Sequence, residues 1–208
     1  MSTATISPST PVMSAEDFLQ KHGDERGVEL VRGIVRRKTI PGARHGLVCQ
    51  RTSFQIGLYL QKHDIGYLFT HDTFVRTEQY PTTFRGPDLQ FMSYGRMPKG
   101  TVPTGVPDVA PELVVEVRSP SDSWKALTRK ALEYLDADVK VVVLIDPEDQ
   151  SATVFRSDGK THSSFLVSLR CCGLRRGWWR SRDTRAQSLT PRGPATLRSR
   201  RLTGTCWA

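Results

Sequence analysis

Three charged residues in this sequence stand where solvation alone does not explain a charge. Glu116 lies inside the apolar run Leu113-Val-Val-Glu-Val117, Asp88 opens the run to Tyr94, and Lys130 sits three residues after Leu127 and four before Tyr134. A carboxylate buried in a strand is costly unless a cation or a metal compensates it. If the two runs are strands that pair side by side, Asp88 and Glu116 approach each other at one strand end. Mg2+ accepts two carboxylates and keeps several waters. Such a pair suits phosphodiester hydrolysis, in which the metal polarises the phosphate and acidifies a water while a nearby cation stabilises developing charge. Two residues compete for the cationic role. Lys130 has the helical spacing to point at the sheet, and Arg118, two residues from Glu116, shares its strand face. Spacing does not separate them.

The elements that must position these groups are readable from periodicity. Ser14 with Asp17 three positions on caps a short helix carrying Phe18 and Leu19 and closed by Gly23. Val28 to Ile40 reads as a hairpin turning at Gly33. Leu47, Val48, Phe54 and Leu58 fall at helical spacing between Arg44 and Lys62 and predict one apolar side of a long helix. Tyr67 to Thr77 and Asp88 to Tyr94 read as strands joined by a turn-rich segment with Pro81 and Gly86-Pro87. Gly95 to Pro111 is a loop. Leu113 to Val117 is a buried strand, Ser121 to Asp138 a helix with Trp124 in the core and Ser119 at its entry, and Val139 to Ile145 the most apolar strand. Ala152 to Arg156 and Ser164 to Leu169 form a last hairpin around Asp158-Gly159. The strand, helix, strand order makes the sheet partly parallel and the class α/β or mixed α+β.

Composition bounds the class. The chain is 38% hydrophobic and 25% charged, as in ordinary soluble proteins, and no apolar run approaches the ~20 residues of a membrane span. No membrane partner is expected, and the lack of a signal-like start makes the expected location cytoplasmic. The net charge of +9 is local: ten of the 30 Lys and Arg but one of the 21 Asp and Glu lie from Arg170 onward, so the rest of the chain is neutral. Residues 1–13 read as a flexible leader, 14–169 as a single domain, and 170–208 as an Arg-rich tail that is a shifted frame or an unrelated extension. Cys171 and Cys172 are adjacent, so no zinc-type cysteine spacing exists. Cys49, alone in the body, reads as a small packed residue.

Six segments in order, VELVRG at 28–33, His45-Gly46, RGPDLQFM at 85–92, PELVVEVRSPSDS at 111–123, KALEYLDADVKVVVLIDPE at 130–148 and SATVFRSDG at 151–159, resemble the successive blocks of the Uma-two family. That family belongs to the PD-(D/E)XK nuclease superfamily, and the similarity spans Ala15 to Leu169. The resemblance implies a restriction-endonuclease-like core with a mixed central sheet flanked by helices. It also implies a metal-dependent endonuclease acting on DNA, with Mg2+ or Mn2+ held by Asp88, Glu116 and a backbone carbonyl near Val117. Ser119 and Lys130 match further family positions, and Glu29 and His45 match two recurrent ones and are accessory candidates. The third position of the E-x-K pattern holds Arg118, and arginine stays charged and cannot act as a base. Lys130 is therefore favoured as a relocated lysine. Simpler roles compete: a turn residue for Asp88, pairing with Arg32 or Arg36 for Glu29, a helix start for His45. DNA is the expected partner, and a homodimer is compatible with the family. A protein that keeps this fold to bind DNA or act as a scaffold without turnover is the alternative function.

Overall fold

The N-terminal helix starts where the capping signal lies. The Ser14 hydroxyl accepts the Asp17 backbone N–H at the head of α1 (Ala15–His22), and the turn buries Phe18 completely. The computed structural model describes residues 12–165, so the expectations for the tail from Arg170 and for most of the leader lie outside the described residues.

Among the described residues there are three helices and ten strands. Strands β1 (Val28–Val31) and β2 (Ile34–Arg37) form the expected hairpin. They join β5 (Thr83–Arg85) and β4 (Val75–Glu78) in a four-stranded sheet of order β2-β1-β5-β4. This second sheet was not anticipated. The run from Tyr67 to Thr77 is two strands, not one: β3 (Gly66–Thr70) ends at His71 and Asp72, both with positive φ, and the chain leaves for the other sheet. Left-handed backbone at two successive non-glycine residues cannot continue a pleat. The segment read as turns before Asp88 likewise contains a strand, β5.

The larger sheet has the order β10-β9-β8-β7-β6-β3. Here β6 (Leu89–Ser93) pairs antiparallel with β3 and with β7 (Leu113–Val117), while β7 and β8 (Val141–Asp146) run parallel through the crossover helix α3 (Trp124–Asp136). The mixed sheet and its parallel unit are as expected. The hairpin of β9 (Ser151–Arg156) and β10 (Thr161–Phe165) closes the edge, its second arm starting three residues earlier than expected. All these elements fall in one compact unit.

Between α3 and the sheet, Val114, Leu127, Ala131, Tyr134, Val139 and Val142 belong to the largest core cluster among the described residues. Ser123, not Ser119, caps α3, accepting the Ala126 N–H. Trp124 occupies the first helical position and is 37% exposed, so it is not core. The long helix α2 (Ala43–Lys62) forms as expected but is oriented differently: Val48 and Cys49 pack against Leu89, Val115 and Val117, whereas Leu47, Phe54 and Leu58 are exposed. No described helix is long and apolar enough to cross a membrane.

Candidate active site

The register of β6 and β7 builds the site. Leu89 pairs with Val115 and Gln90 with Val114. Continuing that ladder by one residue sets Asp88 opposite Glu116, on one face, at the point where the strands part. Glycine and proline at positions 86 and 87 end β5 and let the chain re-enter as β6, so Asp88 stands one residue ahead of the strand. Its Oδ2 accepts the Val117 N–H at 2.7 Å and lies 3.3 Å from His45 Nε2.

Glu116 is buried, and its carboxylate is held from α3. Lys130 Nζ lies 2.8 Å from Glu116 Oε1, and the Tyr134 hydroxyl donates to the same oxygen at 2.8 Å. Lys130 and Tyr134 are one helical turn apart, which is why both reach one group. Lys130 also donates to Glu29 Oε1 at 2.9 Å. Glu29 in turn accepts Arg85 Nη1 at 2.9 Å and the Gly86 N–H at 3.2 Å, with Lys38 Nζ 3.7 Å away. Arg85 is fixed from its other side by two hydrogen bonds to Glu133.

The charges fall into a consistent pattern. Burial raises the Glu29 carboxyl, but Lys130, Lys38 and Arg85 outweigh it and bring its pKa down to about 2. Asp88 is likewise lowered, because His45 and the Val117 N–H more than offset its burial. Glu116 goes the other way: burial dominates and raises its pKa despite Lys130, with the charge of Asp88 adding to the rise. Burial lowers the imidazole of His45, yet Asp88 and Cys49 hold it up to about 10. Burial also opposes the charge on Lys130, but Glu116 and Glu29 keep the ammonium protonated. The site therefore holds one lysine between two carboxylates and one imidazolium against a third.

Asp88, Glu116, Val117, Lys130, Glu29 and His45 all line one cleft of about 690 Å³. Ser119 lines it too, its N–H bonded to Asp122 Oδ2. Arg118 is not part of it. β7 ends at Val117, and Arg118 turns to Asp146 at 2.9 Å and Glu148 at 3.4 Å, with its guanidinium over the Trp124 ring. Asp108, the other aspartate that directly follows a proline, lies exposed in the loop. Glu29 pairs with neither Arg32 nor Arg36 but with three cations from other elements.

Sequence reading missed Lys38, Arg85 and the hydroxyl role of Tyr134. Tyr134 had a signal in its spacing of four from Lys130; Arg85 and Lys38 had none, since nothing local says that their partner is Glu29.

The donor set suits a hard divalent ion. Among the described residues, Asp88 Oδ1 and Glu116 Oε2 have no hydrogen-bond partner, and neither is a sealed orphan of the interior. Two like charges with two free oxygens on one cleft wall attract a divalent cation.

Residues 15–182 match the family described as "Uma2: Putative restriction endonuclease". A solved structure with the same fold is a putative nuclease belonging to DUF820 from Anabaena variabilis. It is 20% identical and superposes with a TM-score of 0.64 over 74% of this chain and 85% of that one. No curated protein matches. The fold is thus mixed α+β and restriction-endonuclease-like.

Proposed function

We propose, given that the chain belongs to the Uma2 family of putative restriction endonucleases, that it is a divalent-metal-dependent endonuclease that hydrolyses DNA phosphodiester bonds. One observation carries this reading: Asp88 and Glu116 oppose each other at the parting of β6 and β7, each with a free oxygen, while Lys130 contacts Glu116 from the helix behind.

Asp88 and Glu116 would hold Mg2+ or Mn2+, with the Val117 carbonyl as a third ligand. Bound there, the ion would polarise a phosphate and lower the pKa of a water. The chain's own groups do the rest. Glu29 and Glu116 hold the Lys130 ammonium at the cleft wall, where it stabilises negative charge that grows on the phosphate in the transition state. Tyr134 and Lys130 together fix one Glu116 oxygen, which orients the other. His45 and the Val117 N–H do the same for Asp88. Arg26, Arg37, Lys38 and Arg129 line the same cleft, and cations around a cleft attract a phosphate backbone without reading its sequence.

The test is cleavage of mixed single- and double-stranded DNA with and without Mg2+ or Mn2+, alongside thermal unfolding. An ion that binds only the folded state raises the melting temperature. Asp88→Asn should remove both that rise and cleavage while leaving the fold intact. Metal-independent cleavage, or an Asp88→Asn protein stabilised as well as the parent, refutes the assignment. DNA binding without turnover at any metal concentration would favour a scaffold.

A further inference from the structure

We propose that His45, Cys49 and Asp88 form a second cation site, specific for a thiophilic divalent ion of the Zn2+ class, which overlaps the carboxylate pair through Asp88 and blocks it when filled. The blocking half rests on the nuclease reading above; the binding half does not.

The three residues come together from two elements. His45 and Cys49 are four apart on α2, hence one turn apart on one face. Two ligands at that spacing are a common way for a helix to hold zinc. Asp88 meets them from the head of β6. Cys49 Sγ is 3.5 Å from His45 Nδ1, and Asp88 Oδ2 is 3.3 Å from the other ring nitrogen, Nε2; an ion takes one of the two nitrogens. One ligand atom from each residue lies within 4.8 Å of the others. Ligand atoms in a tetrahedral site with bonds of about 2.0–2.3 Å stand roughly 3.3–3.8 Å apart, so a side-chain rotation of Cys49 or His45 must bring the sulfur and the carboxylate to the same nitrogen.

The donor types decide the metal. Mg2+ takes oxygen ligands, whereas a thiolate with an imidazole selects Zn2+ or Co2+ over it. His45 is buried at 8% exposure and Cys49 is half-buried, so the donors are partly desolvated before any ion arrives. Three protein ligands leave one position open, and His45 and Asp88 both line the cleft, so that position faces it. On binding, the Cys49 thiol proton and one proton of the His45 imidazolium pass to solvent.

A chain of thiol, imidazole and carboxylate is also the order of a cysteine nucleophile and its base. Cys49 is not among the residues that line the cleft, however. A substrate there meets His45 and Asp88 before the sulfur, and chelation fits the placement where nucleophilic attack does not. Once an ion draws on Asp88, its positive charge repels a second cation from the adjacent Asp88 and Glu116 oxygens.

The experiment titrates the full-length protein with Co2+, reads the thiolate-to-cobalt charge-transfer absorption, and measures Zn2+ affinity by calorimetry. Cys171, Cys172 and Cys206 also carry thiols, so the difference between the parent and Cys49→Ser is the quantity read, with Cys49→Ala as a second variant and circular dichroism as the check on folding. Loss of an outer partner of a metal ligand already costs about 10–100-fold in affinity, so loss of the ligand itself should cost at least ~10²-fold. The parent should show the band and both variants should lose it, while the Mg2+-induced rise in melting temperature remains in both. Zn2+ should raise the Mg2+ concentration needed for that rise in the parent. A band that is absent from the parent, or unchanged in Cys49→Ser, overturns the site. A band with no effect of Zn2+ on a measurable Mg2+ response overturns the blocking. A band in a protein that never responds to Mg2+ upholds the thiophilic site and refutes the nuclease reading instead.

Discussion

Replacing Lys130 by methionine tests whether its ammonium serves the proposed reaction as well as the fold. The ammonium contacts Glu29 at 2.9 Å and Glu116 at 2.8 Å. Glu29 keeps Arg85 and Lys38 when Lys130 goes. Glu116 keeps the Tyr134 hydroxyl as its one remaining hydrogen-bond donor among the described residues, so it is the group left stranded. Removing one partner of a buried pair costs about 3–5 kcal/mol, which for a domain of this size lowers the melting temperature by roughly 10 °C. Glu116 escapes part of that cost by taking up a proton, since burial already raises its pKa. The penalty should therefore shrink as the pH falls. Cleavage should drop by at least ~10²-fold if the ammonium stabilises the transition state. Single-turnover cleavage well below the melting point, normalised to folded protein, keeps the two effects apart. Adding Glu116→Gln should return much of the stability and none of the activity, because the stranded charge is gone but the site is still broken. Arg118→Met is the control. It loses the contact to Asp146, whose other oxygen still accepts the Glu148 and Asp149 N–H groups, and it should lower cleavage by less than about tenfold. If Arg118→Met impairs cleavage more than Lys130→Met does, the catalytic cation is on the strand and the relocated lysine is refuted.

Glu29 has a folded pKa of about 2 against an ordinary 4.5, so its ionised form stabilises the fold by about 3 kcal/mol above the unfolded pKa. A depressed carboxyl loses that contribution as the pH falls through its folded pKa. Urea unfolding of the parent and of Glu29→Gln should therefore give curves that differ at neutral pH and converge between 4.5 and about 2; a gap that is constant with pH refutes the electrostatic account. For the C-terminus, a chain ending at Leu169 should keep its melting temperature and its metal response. The family match extends to residue 182, so if only a chain ending there is stable, the boundary at Leu169 is wrong.

Two kinds of information were legible in the sequence. Local signals placed α1, the β1–β2 hairpin and α3 close to their observed positions, because caps, turns and hydrophobic spacing act within a few residues. The apolar neighbours of Glu116 marked it as a charge in need of a partner, and the strand, helix, strand order implied the parallel pairing of β7 with β8. Where the sequence misled, the competing cause was tertiary. The break at His71 and Asp72 sends one apparent strand into two sheets, and the apolar residues Leu47, Phe54 and Leu58 of α2 face away from the core although their spacing promised burial.

The sequence by itself determined which residues carry charge in apolar surroundings and the faces they occupy on their own strand or helix. Only the tertiary structure decided who meets whom. Lys130 and Glu29 are separated by 101 positions, and no local pattern links them. That Lys130 and not Arg118 contacts Glu116 turned on where β7 ends, since one residue past the last ladder pair the side chain no longer obeys the alternation that would have placed it beside Glu116. The neighbourhood of His45, Cys49 and Asp88 depended equally on the seating of α2 against β7. Periodicity fixes a side chain's direction relative to its own backbone; contact between elements is set by packing and register, which are properties of the whole chain.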